Sequence, residues 1–161
     1  MYNNICTMFG DEHVNSLYTV RYGLNECYLP FSHVSADRIS VYTYYNNLIA
    51  APPPIYSPWY VFSFGTWDYQ YDYYDYYMHT RQWVVSNFRQ PRISPRVLWV
   101  LPIKNYSATY QMVRAARSWR DPFLYLNSPI YQQATDGIHL TNSGYVTLAQ
   151  QIRYSTRCFT H

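Results

Sequence analysis

The sequence predicts a three-layer α/β domain, with a central parallel sheet of about five strands covered by helices on both faces. Two observations carry this. Short apolar runs alternate with stretches of helical periodicity along the chain, and Gly, Pro, Asn and Asp punctuate the junctions. With 161 residues, one domain spanning 1–161 can bury a core that needs neither metal nor disulfide.

The run from Ile5 to Phe9 ends in Gly10-Asp11-Glu12-His13, the pattern of a buried strand breaking into a turn. A helix from about Val14 to Tyr22 follows and closes at Gly23. Cys27 to Phe31 reads as the second strand. Ser35 to Ile49 fits a helix through Ile39, Tyr42, Tyr45 and Leu48, and a strand through Ile39, Val41, Thr43 and Tyr45; the alternation of its neighbours favours the helix. Pro52, Pro53, Pro54 and Pro58 make a stiff connector. Trp59 to Phe64 is a strand running into Gly65-Thr66-Trp67-Asp68, with a helix from about Tyr71 to Phe88 behind it. Arg96 to Ile103 is a further strand, Ala108 to Trp119 a helix, and Phe123 to Asn127 the last strand. Asp136-Gly137-Ile138-His139 then leads into a final helix carrying Tyr145, Leu148, Ala149 and Ile152, with Thr141 or Asn142 as its N-cap. In such a sheet, a site belongs at the C-terminal ends of the strands.

Composition narrows the function. Aromatic residues make up 20% of the chain, 21 of them tyrosine, so it can cover large half-wet surfaces, which favours protein partners, self-assembly or a glycan. A net charge of +3 is too small to argue for nucleic acid, although Arg114, Arg117 and Arg120 are spaced along one helix and Arg89, Arg92 and Arg96 stand upstream. No apolar run reaches the roughly 18 residues of a membrane span. Cys6, Cys27 and Cys158 show no metal-ligand spacing and read as incidental thiols, in keeping with a reducing compartment or a particle. Asn105-Tyr106-Ser107 is a lone glycosylation sequon.

Asp68, Asp72, Asp75 and His79 would share a stripe of the helix after the third strand; acids near a helix N-terminus need only its dipole, so no metal and no cofactor is expected. Among these acids stand Tyr69, Tyr71, Tyr73, Tyr74, Tyr76 and Tyr77, too many for one helix face to bury. They form the expected interaction surface.

In order and placement, three of these features resemble the SGNH (GDSL-type) hydrolase superfamily: Gly10-Asp11-Glu12, Gly65-Thr66-Trp67-Asp68 and Asp136-Gly137-Ile138-His139. The resemblance covers nearly the whole chain and implies a flavodoxin-like fold. It also implies a site built from Asp11, Glu12, Gly65, Trp67, Asp68, Asp136 and His139. In the family, a serine after Gly-Asp is the nucleophile, activated by the final histidine and aspartate. A second-block glycine N–H and a third-block asparagine amide complete the oxyanion hole.

This chain departs at each of these points. Glu12 stands in the serine's place, Trp67 in the asparagine's, and no glycine lies between Val34 and Ala50, so the second-block donor is expected from a residue such as Ser35. A carboxylate cannot act as a histidine-activated hydroxyl in acyl transfer. The expectation is a catalytically inactive protein with a structural or recognition role in an assembly, in which Glu12 and His139 form an ion pair tying the last helix to the first turn. The alternative is an acyl-ester or carbohydrate-ester hydrolase with a rearranged site.

Overall fold

The computed structural model describes residues 6–21, 31–53, 56–69, 72–92 and 94–156. Strands and helices alternate strictly through them: β1 Cys6–Gly10, α1 Glu12–Val20, β2 Phe31–Ser35, α2 Val41–Ala50, β3 Trp59–Ser63, α3 Tyr74–Phe88, β4 Arg96–Leu101, α4 Tyr106–Trp119, β5 Phe123–Tyr125 and α5 Asn142–Thr156. The five strands pair in parallel in the order β2-β1-β3-β4-β5, as the alternation of elements predicts. This is the flavodoxin-like order, and it reverses between β1 and β3, where doubly wound sheets bind their ligands.

The strands place side chains alternately on two faces. Cys6, Met8, Val61, Leu98 and Val100 face one layer, where they pack with Val14 and Leu17 of α1 and Tyr145, Leu148 and Ile152 of α5. Phe9, Tyr60, Phe62, Val97, Trp99 and Leu101 face the other, where they pack with α2, α3 and α4 through Tyr44, Leu48, Tyr77, Val84 and Met112. That second layer is strongly aromatic: the Phe62 and Trp99 rings meet edge to face at 5.1 Å, and Tyr60 stacks on Phe88 at 5.1 Å. Part of the tyrosine excess is therefore core.

Several expected boundaries move. The stretch from Ser35 divides, with Ser35 ending β2 opposite Gly10 and the helix beginning only at Val41, capped by Ser40. The remainder of the expected second strand, Cys27 to Pro30, lies outside the described residues, as do Gly23 and Cys158. Helix α3 starts at Tyr74, where Asp72 Oδ1 accepts the Tyr74 N–H at 3.1 Å. Asp68 and Asp72 therefore precede the helix, and the acidic stripe does not form. At the last helix Thr141 is the capping residue, its hydroxyl accepting the Gly144 N–H at 3.1 Å. Cys6 is disulfide-bonded, against the expectation of incidental thiols. No helix among the described residues is long and apolar enough to cross a membrane.

Candidate active site at the end of strands β1 and β3

Gly10 brings the first block against the third. A Cβ at this position would stand 2.0 Å from the Ser63 carbonyl oxygen, so only glycine allows β1 and β3 to run this close. The next residue, Asp11, then donates its backbone N–H to that same carbonyl at 3.0 Å. Its side chain is fully buried, and Oδ1 caps α1 by accepting the His13 N–H at 3.1 Å. Burial, then the charge of Glu12, pushes the Asp11 carboxyl well above the usual carboxylate range.

The third block is a turn fixed from behind. Asn105, the cap of α4, donates its amide to the carbonyls of Gly65 at 2.6 Å and Asp68 at 2.8 Å. Its amide is committed to these bonds in a half-buried position, so the glycosylation sequon is a helix cap instead. The buried Asp68 accepts the Val41 N–H at the start of α2 at 2.9 Å, and its other oxygen accepts the Tyr77 hydroxyl. Burial pushes the Asp68 carboxyl up to about 6, even with these bonds favouring its charged form.

Glu12 is held by both neighbouring blocks. Its Oε1 accepts the indole N–H of Trp67, and its Oε2 accepts the backbone N–H of Arg38 at 2.9 Å. Arg38 has φ +52°, the left-handed region that favours glycine. The N–H that reaches Glu12 from this segment is that of Arg38, and the expected Ser35 only lines the neighbouring space. With Asn15, Ala36, Asp37 and Glu12, Ser35 walls a pocket of about 430 Å³. Burial, and then the hydrogen bond with the Asp37 carboxyl, raises the Glu12 pKa.

Asp136 and His139 do come together. The ring Nδ1 lies 2.6 Å from Asp136 Oδ2, while Asp136 Oδ1 accepts the backbone N–H groups of Ile138 and His139, each at 3.0 Å. These bonds, the one to His139 foremost, lower the exposed Asp136 carboxyl to about 2. The expected Glu12–His139 ion pair does not form: among the described residues the carboxylate within salt-bridge reach of the His139 ring is that of Asp136. Glu12 turns to the two N–H donors because they offer bonds to both of its oxygens, and Asp136 already engages the imidazole.

His13 is the residue that sequence reasoning passed over. It is buried, with Nδ1 2.7 Å from the Tyr145 hydroxyl, Nε2 3.2 Å from Thr66 Oγ1, and its ring 5.1 Å from that of His139. Burial, then the neighbouring His139, lowers its pKa to about 3. The signal was its place beside Glu12 at the start of α1, which puts two titratable side chains on one turn.

The tyrosine surface is redistributed. Tyr73 and Tyr77 are buried in the aromatic layer and leave the expected interaction surface, and Tyr71 lies outside the described residues. Tyr74 lies beneath the Arg114 guanidinium, 4.1 Å from the ring centroid, and Tyr76 meets the ring of Tyr42 edge to face at 4.9 Å. Tyr69 is 66% exposed, and α4 adds Tyr106 at 77% and Tyr110 at 63%, one helical turn apart.

Comparison of the coordinates with solved structures places this architecture. A GDSL-like lipase from Bacteroides thetaiotaomicron superposes with a TM-score of 0.72 at 14% identity, covering 94% of this chain and 87% of that one. A carbohydrate acetylesterase from Sinorhizobium meliloti, Est24, gives 0.60 at 14% identity, over 96% and 98%. The aryl esterase of M. smegmatis gives 0.55 at 17%, over 94% and 99%. No protein-family model matches the sequence, and neither does any curated protein. The chain has the fold of the SGNH (GDSL-type) hydrolases.

Proposed function

We propose that this chain uses the SGNH fold for recognition within an assembly and does not carry out serine-type acyl transfer. One observation carries the reading: the carboxylate of Glu12 stands in the nucleophile's position and itself takes the N–H groups of Arg38 and Trp67. In a working site those two groups would be aimed at the oxyanion of a tetrahedral intermediate. Here an anion belonging to the protein already engages them. Across from it, the Asp136–His139 pair has no hydroxyl hydrogen-bonded to its ring among the described residues.

For the recognition surface, the support is the exposure of Tyr69, Tyr106 and Tyr110 and the Arg114–Tyr74 stack between α3 and α4. Tyrosine and arginine are the residue types that interfaces concentrate. Two measurements test the reading together. The natural chain should leave short-chain p-nitrophenyl esters untouched, and its mass in solution should exceed that of one chain, alone or with its partner. Ester turnover that disappears in His139→Ala would overturn it.

A rearranged hydrolase has one specific observation in its favour, the hydroxyl–imidazole–phenol chain Thr66–His13–Tyr145. Thr66 would be its nucleophile and His13 its base. Both side chains are buried, and an imidazole with a pKa of about 3 is a weak general base near neutrality. Turnover abolished by Thr66→Val and retained in His139→Ala would favour this second reading.

A further inference from the structure

We propose that Glu12, His13 and His139 form a ligand set for one divalent cation of the zinc class. One ligand atom from each of the three lies within 4.8 Å of the other two. Two imidazoles and a carboxylate are a donor set that suits Zn²⁺, whose ligand atoms lie about 2.0–2.2 Å from the ion.

The arrangement around the three is what separates this cluster from a chance meeting of polar side chains. A histidine that binds a metal through one ring nitrogen normally has the other fixed by an outer partner, which sets the tautomer and the ring's orientation. Both rings have such a partner on Nδ1: the Asp136 carboxylate for His139, at 2.6 Å, and the Tyr145 hydroxyl for His13, at 2.7 Å. The Nε2 of His139 makes no hydrogen bond among the described residues, while that of His13 has only the longer 3.2 Å contact with Thr66. The third ligand is steadied too, by Trp67, the Arg38 N–H and the Asp37 carboxyl, and these three bonds leave its carboxylate a lone pair for a metal.

Tetrahedral ligand atoms around zinc stand roughly 3.4 Å apart, so binding draws the three groups closer than they are here. Glu12 and His139 supply that movement, since both are only part-buried, whereas His13 is fixed in the core. The pocket beside Glu12 gives an ion its way in. Bound there, a cation would link the first turn of α1 to the loop before α5. That is the connection for which the sequence suggested a Glu12–His139 ion pair, and it does not depend on whether the chain hydrolyses esters.

The test is a calorimetric titration of the full chain, freed of metal by a chelator, with Zn²⁺, and a parallel titration with Co²⁺ read by visible absorption. One Zn²⁺ per chain is expected, bound at micromolar Kd or tighter, with a four-coordinate Co²⁺ spectrum and a rise in Tm. Because Glu12 and His139 are part-exposed, Glu12→Ala and His139→Ala should stay folded by circular dichroism while losing at least roughly 100-fold in affinity. Asp136→Asn, which touches only the outer partner, should lose about 10- to 100-fold. His13 is too buried to replace safely, so its participation is read by NMR: the imidazole signals of His13 and His139 should move with Zn²⁺ and that of His79 should not. Absence of binding, or an affinity unchanged in His139→Ala, overturns the assignment.

Discussion

The indole N–H of Trp67 donates to Oε1 of Glu12, so two of the positions at which the sequence departs from the SGNH motifs are bonded to each other. Glu12→Ser would release that donor and place a hydroxyl on the turn facing His139. We expect no turnover of p-nitrophenyl acetate by the natural chain and measurable hydrolysis by Glu12→Ser. Adding Trp67→Asn should raise the rate further, because an aligned oxyanion donor is worth roughly 10²–10³-fold. Initial rates over the buffer blank decide it. A parent protein as active as Glu12→Ser would remove the basis for assigning lost chemistry to Glu12.

Asp68 makes stability fall as pH rises. Below 3.8 both folded and unfolded chains hold its proton, and nothing is lost. From 3.8 to about 6 the unfolded chain ionises while the folded one does not, and above about 6 the penalty is complete. The interval corresponds to roughly 3 kcal/mol as an upper bound. His13 acts in the opposite sense: its folded pKa of about 3 lies below the usual 6.5, so its contribution is lost as pH falls through that range. Comparison with Asp68→Asn separates the two. An amide keeps an acceptor for the Val41 N–H and cannot ionise, so the variant's stability relative to the parent should improve between pH 4 and pH 7. Urea denaturation at both pH values measures it, and a difference independent of pH would contradict the assignment.

Apart from β2, which is Phe31–Ser35 where Cys27 to Phe31 was expected, the strands and the order of the helices were legible because the core is periodic on two scales. Alternate residues of β1, β3 and β4 enter opposite layers, and the helices bury one stripe each. Two parts of the site were not legible. The backbone N–H that holds Glu12 comes from Arg38, an arginine with positive φ, and nothing in its side chain announces a backbone conformation that glycine usually fills. His13 was hidden for a different reason, since its partners Thr66, His139 and Tyr145 are brought to it by the sheet and by α5. The tyrosines misled because the stretch before α3 was assigned helical periodicity. With the helix starting at Tyr74, Tyr73 and Tyr77 point into the aromatic layer.

Asp121 gathers a buried network between α3, β4 and the end of α4. Arg81 donates to it through Nε at 2.7 Å and Nη2 at 3.0 Å, Trp99 Nε1 donates at 2.9 Å, and the guanidinium lies 4.4 Å from the Trp119 ring centroid. Removing one partner strands a buried charge, so Asp121→Leu should cost about 3–5 kcal/mol. Replacing both partners with apolar groups, Arg81→Met with Asp121→Leu, should cost less than the single change. Chemical denaturation of the four proteins in the cycle measures the coupling; a double variant as unstable as the sum of the singles would show that the pair does not act as a unit.

The tyrosines divide into those that hold the fold and those available to a partner, and stability separates them. Tyr77 is fully buried, meets Trp99 edge to face at 6.1 Å and donates its hydroxyl to Asp68. Tyr77→Ser should cost about 3–5 kcal/mol, the range for emptying an aromatic site in a core. Tyr106 and Tyr110 are exposed on α4, and their change to serine should leave stability within roughly 0.5 kcal/mol each. If α4 is the recognition face, the Tyr106→Ser, Tyr110→Ser double variant should sediment as a smaller species than the parent while unfolding at nearly the same urea concentration. A parent and double variant that sediment identically as single chains would remove α4 from the proposed assembly, whatever their stabilities.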